Sequence, residues 1–560
     1  MLRASQDPHR GEGGITLTST LERRSAALDD QHVGDIRGAL GTIRLDDTSS
    51  RHGRSAQLKT LLAIIGPGLI VMVGDNDAGA FATYGQAGQN YGTRLLWTLL
   101  LLVPVLYVNQ EMVLRLGAVT GVGHARLILE RFGKFWGAFS VIDLFLLNAL
   151  TLITEFIGIT LAAGYLGLPR LAAVPLAALV IIGAAFTGSF RRFERMAVAL
   201  CGGTLLLIPI YFLAHPAAAQ MAHGFAVPDV PGGSGQMATV MLLVIGIVGT
   251  TVAPWQLFFQ QSYVIDKRIS PRFIRYEKVD LWIGIVVVVL GAGAIMGFTA
   301  AAFAGQAGAG HFTDVAGIAQ GLQAHAGRVA GVLFAIALLD ASIIGAFAVS
   351  LSTAYAIGDV FGIKHSLHRG VKGAKGFYAI YGGLVLLAAA VVLIPGSPLG
   401  LLTEGVQALA GVLLPSAAIY LLLLCNDREV LGPWVNGRKT NMFTGAVVAL
   451  LVALSVILTA SVPFPGITAG QILAILGTCC GAAVAVSAGW LLVQRLRPGA
   501  VAAVPIDRTG RESWRMPQLA LLRRPPVPVG RKIGMTILRT YLAGATVLVI
   551  VKIVELAIAH

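Results

Sequence analysis

The sequence predicts an all-α polytopic membrane protein, built as an inverted five-helix repeat whose first and sixth helices are broken. Three observations carry that expectation. The chain of 560 residues is 56% hydrophobic and only 12% charged, where a soluble domain carries about 25% charged residues. Its apolar residues fall in runs of about 20, the length a helix needs to cross a bilayer. Two of these runs, five helices apart, contain helix-opening residues: Gly74-Asp75-Asn76-Asp77-Ala78-Gly79 in the first and Thr250-Thr251-Val252-Ala253-Pro254 in the sixth. Interruptions at corresponding places in two halves point to a binding site where the broken helices meet.

The apolar runs are 61–87, 95–116, 135–166, 171–188, 196–214, 237–263, 281–303, 329–357, 377–393, 401–424, 442–460 and 472–493. That makes about twelve transmembrane helices, or thirteen if 541–558 also spans. Lys552 and Glu555, three apart in that last run, can pair on one helix face, so the run spans or lies at the surface. Residues 1–59 are polar and charge-mixed, without the apolar core of a signal peptide, and read as a disordered cytoplasmic tail. Residues 60–424 then form a ten-helix transport core, and 425–494 add two helices. The remainder, 495–560, is a basic cytoplasmic linker with the last hydrophobic segment.

The net charge of +14 would suit a nucleic-acid partner, but its placement argues otherwise. Lys and Arg crowd alternate short loops, as in Arg126, Arg131 and Lys134, or Lys267, Arg268, Arg272, Arg275 and Lys278. The opposite loops hold little beyond Arg94, Arg170 and Arg328. This bias puts the N-terminus in the cytoplasm of a cell membrane, as in a bacterial inner membrane, and makes the lipid bilayer the partner. Cys201, Cys425, Cys479 and Cys480 lie in or at the ends of apolar segments, in no metal-binding spacing. They read as small hydrophobes. No HExxH, no phosphate loop and no paired-cysteine metal site is present. Neither an enzyme nor a resident cofactor is expected.

Carboxylates at bilayer depth mark an ion or substrate pathway rather than packing. Asp77, Asp75 and Asn76 are therefore the candidate ligands of a cation, with Asp77 first; the alternative for Asp77 is a helix cap. Pro254 cannot donate to the helix ladder, which frees carbonyls near Thr250, and the first break frees the carbonyl of Gly74. Irregular backbone at this depth is tolerated only where it lines protein or water. Gln256, Gln260 and Gln261 are expected along a hydrated path or in interhelical bonds. Glu155 reads as an internal ion-pair partner, and Asp340 should face a cavity or a cation. Glu111 precedes Arg115 by four and reads as a structural pair. Asp143 and Glu404 are left for an external vestibule.

Several of these stretches resemble a known family. Gly66-Pro67-Gly68 with Asp77-Ala78-Gly79-Ala80 resembles the first-helix signature of NRAMP divalent-metal transporters, which reads GPG and then Asp-Pro-Gly-Asn. Further similarities are Arg115 to Gly121 in the second helix, Glu155-Phe156-Ile157-Gly158 in the third, and Thr251-Val252-Ala253-Pro254-Trp255-Gln256-Leu257-Phe258 in the sixth. Val406-Gln407 through Leu414-Pro415 resembles the tenth helix, which supplies a glutamine ligand; the resemblance thus implies a LeuT/APC-like fold, adds Gln407 to the metal site and adds a relay role for Glu155. Departures are as informative. The family's asparagine is Ala80, its metal-binding methionine is Ala253, the histidine after the proline is Trp255, and a third-helix aspartate falls on Leu152. These make the chain similar to the NRAMP-related magnesium transporters.

Ligand chemistry agrees. A thioether favours soft ions, so Ala253 removes the soft donor and leaves room. Mg²⁺ keeps several waters and is held by one or two carboxylates. The expected cargo is therefore Mg²⁺, with Mn²⁺ also carried. A dication falling through 100 mV gains about 4.6 kcal/mol, roughly a thousandfold gradient, so uptake by alternating access needs no proton. One copy suffices for transport, and no oligomeric state is fixed. A proton-coupled Mn²⁺/Fe²⁺ importer is the main rival. A membrane metal sensor without flux is another, and an amino-acid carrier is disfavoured because the acids would repel a carboxylate.

Overall fold

The computed structural model describes residues 29–231, 237–394, 399–461, 464, 467–496, 507–523 and scattered positions between 534 and 551. A short hairpin, β1 (Ile36–Arg37) and β2 (Thr42–Ile43), precedes the helices, pairing Ile36 with Ile43. The first apolar run folds as three pieces, α1 (Arg54–Ile64), α2 (Pro67–Val73) and α3 (Ala78–Tyr91). The first two are bent by 54°. Next come α4 (Trp97–Thr120), the short α5 (His124–Phe132), α6 (Lys134–Tyr165) and α7 (Arg170–Phe186). A fifth span is made of α8 (Phe190–Cys201) and α9 (Leu207–Ala214), joined by a 3₁₀ turn, and α10 (Ala218–Ala226) closes this half.

The second half repeats the plan. Its first span is broken into α11 (Met237–Thr251) and α12 (Pro254–Asp266). Then follow α13 (Ile274–Phe303), the connecting α14 (Val315–Ala326), α15 (Arg328–Phe361), α16 (Lys375–Val392) and α17 (Leu399–Cys425). Beyond the repeat lie α18 (Arg428–Leu431), α19 (Arg438–Ser461) and α20 (Ala469–Leu496). All twelve expected runs coincide with helices. Among the described residues, nine helices are long and apolar enough to cross a membrane, ten if α1 and α2 count as one span. The run 541–558 lies almost wholly outside the described residues.

Both breaks have local causes. Pro67 and Pro254 open α2 and α12 at the first turn, where the missing N–H is no loss. Asp77 caps α3, its Oδ1 accepting from Ala80 N at 2.9 Å. Gly74 is not needed for an unusual conformation: its φ of −64° is ordinary helix. Close approach does matter at Gly68 and Gly284. A Cβ on Gly284 would meet Gly68 O at 2.7 Å, so α13 packs directly against the backbone of α2.

Charged groups pin α2 at the end of the bundle that carries the basic loops. Asp280 on α13 accepts from Gly66, Gly68 and Leu69 N–H at 3.2, 2.6 and 3.2 Å. Lys267, fully buried, pairs with Glu194 at 2.7 Å and donates to Ile64 O and Ile65 O. Asp266 gathers Tyr355 OH at 2.5 Å, Ser366 Oγ at 2.5 Å and Leu367 N at 2.8 Å. A buried ion pair adds little over apolar packing, but losing one member strands a charge.

One expectation fails here. From Asp29 onward the head is not a loose tail. Asp29 pairs with Arg369 at 2.8 Å and caps a 3₁₀ turn, Ala39 N reaches Glu194 Oε2, and Arg268 and Arg272 hold backbone carbonyls of Gln31, Asp35 and Asp47. The order comes from long-range partners. His32 Nε2 bonds His365 O, while His365 pairs with Asp359 at 2.9 Å. Burial alone would lower the His365 pKa; Asp359 overrides it, and the imidazole is pushed up to about 9.

Two outcomes are expected. Because its folded pKa is raised, His365 contributes stability that is complete below about 6.5 and is lost as pH rises through about 9. Thermal unfolding against pH should show that loss, and His365→Gln should flatten it. Lys267→Met should lower unfolding stability by about 3–5 kcal/mol, by stranding Glu194.

Candidate metal site

The two breaks face each other in the middle of the bundle, and their polar residues meet there. Asp75 is completely buried and accepts a hydrogen bond from Gln256 Nε2, leaving Oδ2 without a protein partner. Gln256 also receives Gln110 Nε2 at 2.8 Å and reaches Thr251 O at 3.4 Å. Tyr84 and Thr251 share a hydroxyl contact of 2.7 Å, tying α3 to α11. Thr250 Oγ1 is buried and has no protein partner.

Asp77 stands two residues on, 4% exposed. One oxygen serves as the cap, so the capping alternative is realised without excluding a ligand role. Glu155 from α6 reaches the same turn: its Oε2 accepts from Ala78 N at 3.3 Å and its Oε1 has no partner. Gln407 of α17 lies over Gly79, where a Cβ would collide with its amide and would sit 3.2 Å from Asp77 Oδ1. Gly79 is thus a close-approach glycine that lets Gln407 and Asp77 share one space. Ala253 caps α12 without a side-chain bond, and Trp255 is buried with its ring edge beside Gly74. Ser352 Oγ fixes the Trp255 carbonyl at 3.0 Å.

Asp75, Asp77 and Glu155 have no cationic side chain as an ion-pair partner among the described residues. Carboxylates at this depth are costly and make these residues candidate ion ligands. Among the described residues no three His, Cys, Asp or Glu side chains form a tight metal cluster.

Not every sequence candidate joins this group. Asn76 turns the other way: its Nδ2 donates to Val288 O at 3.2 Å, toward α13, because the irregular turn rotates successive side chains to different neighbours. With Asp340 it lines a separate small cavity beside Phe81 and Ile344, and its Oδ1 is unpartnered. Gln260 is fully buried with neither polar atom bonded, whereas Gln261 is tied to His124 and Val122. Asp143 lies beside Ile128 of α5 and Tyr420. Glu404's side chain lies outside the described residues. Glu111 does pair with Arg115, at 3.1 Å. Gln110 and Tyr84 went unnoticed in the sequence, since a lone amide or phenol in an apolar run has no distinguishing spacing.

Two broken helices crossing at a buried polar site define a membrane transporter of the inverted-repeat class. The chain belongs to the Nramp family: the profile described as natural resistance-associated macrophage protein-like matches residues 68–461. It is 31% identical over 415 residues to the divalent metal cation transporter MntH of Ralstonia nicotianae, covering 70% of this chain and 89% of that one. Similarity to MntH of Pectobacterium carotovorum is 27% over 443 residues, covering 74% and 97%. Among solved structures, an Eremococcus coleocola manganese transporter in complex with an aromatic bis-isothiourea compound superposes with a TM-score of 0.61. It is 21% identical and is covered over 97% of its length, with 80% of this chain. Members of this family are multi-pass membrane transporters of divalent metals, not enzymes.

Gly79→Ala should improve helix propensity yet expel the Gln407 amide. Its expected signature is unchanged helicity by circular dichroism with Mn²⁺ affinity lowered roughly tenfold or more by calorimetry.

Proposed function

We propose that this chain moves divalent metal ions into the cytoplasm by alternating access, with Mg²⁺ the principal cargo, Mn²⁺ also carried, and no proton moved. The observation that carries the reading is the donor set at the two breaks: Asp77, Asp75, Gln407 and the neighbouring Glu155 offer oxygen, and the position of the family's sulfur ligand is Ala253. Asp77 is the principal ligand, direct or through water. Thr250 and the opened carbonyls near Gly74 complete a shell wide enough for retained waters. Gln256 and Gln260 line the path, with Trp255 and Pro254 shaping its wall. Ala80 leaves out the family's asparagine. Asn76 and Asp340 belong to a side cavity rather than the first ring of ligands. The N-terminus is placed in the cytoplasm by the basic loops, and the core is 60–424.

A second reading has its own support. The relatives are named as manganese or divalent metal transporters, and Glu155 beside Asp77 offers a carboxyl that could relay a proton. A proton-coupled Mn²⁺/Fe²⁺ importer would use both.

Proteoliposome uptake separates the two. Under the Mg²⁺ reading, Mg²⁺ enters under a negative-inside potential with no metal-driven acidification of the lumen. Acidification in step with metal entry would establish the coupled reading instead. Asp77→Ala should abolish flux in either case. Ala253→Met should raise Mn²⁺ or Cd²⁺ uptake relative to Mg²⁺ by restoring a soft donor.

A further inference from the structure

We propose that a basic cavity at the end of the bundle bearing the basic loops binds the headgroup of an anionic phospholipid. The cavity, about 620 Å³, opens between the last turns of α4, the first turns of α13 and the start of α19, with residues 508–511 closing one side. Six cationic side chains line it, Arg115, Lys278, Arg438, Lys439, Arg508 and Arg511, against one carboxylate, Glu111. That carboxylate is already shared, 3.1 Å from Arg115 and 2.9 Å from Lys278. A generic excess of positive loops would leave these side chains spread in water. Here all six border one cavity, Arg115 buried in its wall and Arg438, Lys439, Arg508 and Arg511 exposed at its rim.

The walls of the cavity show what it would take. Arg115 is only 6% exposed; its two terminal nitrogens bond Trp434 O and Asn436 Oδ1, and its Nε is buried without a partner. Arg511 stacks over the Trp434 ring at 4.8 Å, while Trp434 Nε1 donates to Arg511 O at 2.7 Å, so the rim is built rather than loose. The first turn of α19, a helix of 24 residues, lines the cavity through Arg438, Lys439 and Thr440, adding the positive end of its dipole. Arg508 lies against Gly437, just ahead of that turn. Such a set recognises a phosphate, for which guanidinium groups and a helix N-terminus are matched donors.

The apolar margin chooses a lipid over a free anion. Tyr107, which lines the cavity, stacks on Trp282 at 4.8 Å, and Trp282 is 43% exposed on α13. Met442 and Phe443 are exposed on the next turn of α19. Aromatic side chains at this level mark the membrane interface. A phosphate here would have its acyl chains running along Trp282 and Phe443, and basic pockets between spans on the cytoplasmic side are suited to acidic headgroups. Glu111 also follows Gln110, which holds Gln256 at the metal site, so an occupied cavity would steady the helix that reaches the ligands.

The test uses the full chain in neutral detergent, with phosphatidylglycerol, phosphatidylcholine or inorganic phosphate added, read by native mass spectrometry and thermal unfolding. Phosphatidylglycerol should be retained and should raise the unfolding midpoint; the other two should not. Arg438 and Arg508 are exposed, so Arg438→Gln/Arg508→Gln should fold normally and bind phosphatidylglycerol roughly thirtyfold more weakly. Phe443→Ser should weaken the lipid alone. Equal binding of both lipids, or phosphatidylglycerol binding unchanged in the double variant, would overturn the proposal. So would stabilisation by inorganic phosphate that matches the lipid and displaces it, since the occupant would then be a free anion.

Discussion

A helix that breaks inside a bilayer must find partners for the groups it frees, and this structure is organised around meeting that demand twice in one place. Gln256 is the hinge of the arrangement. Its amide donates to Asp75, its carbonyl oxygen receives Gln110, and its backbone sits in the first turn of α12. The opened turn of the first span is thus held by the opened turn of the sixth. Tyr84 and Thr251 add a second tie between α3 and α11. Left over from this accounting, among the described residues, are Asp75 Oδ2, Glu155 Oε1, Thr250 Oγ1 and the Gln260 amide, buried and without a protein partner.

The same physics explains how α2 is held. α2 is short, begins at Pro67 and is held by Asp280, Lys267 and Glu194, all buried. Under the proposed alternating-access reading this piece must move, so its contacts must be individually separable. Hydrogen bonds and one ion pair meet that requirement better than interlocked apolar side chains would, since their net contribution is modest while they persist together. The ordered head from Asp29 to the hairpin adds to the same end: Ala39 reaches Glu194, and Gly38 packs so tightly on α1 that a Cβ would overlap Ala63 O.

Much of this was legible in the chain. Apolar run lengths located the spans, and Pro254, Asp75 and Asp77 located the breaks, because hydrocarbon tolerates few other arrangements. Glu155 and Gln407 came from resemblance, since neither spacing nor composition singles out a polar residue on a distant helix. What was missed has physical reasons. The head is polar enough to read as disordered, but its order depends on Arg369, Arg268 and Glu194, more than 150 residues away. Asn76 lies between two aspartates, and only the handedness of the irregular turn sends it to Val288. Gly74 suggested backbone freedom, whereas Gly79 is the glycine whose missing side chain the site requires.

The central claim is that a partly hydrated dication rests between the two broken helices. Anomalous scattering from Mn²⁺-soaked crystals tests it most directly. The expected peak lies between the Asp77 carboxylate and the Gln407 amide, within direct or one-water reach of both. A peak confined to the Asn76–Asp340 cavity or to the surface, with none between the helix breaks, would contradict it.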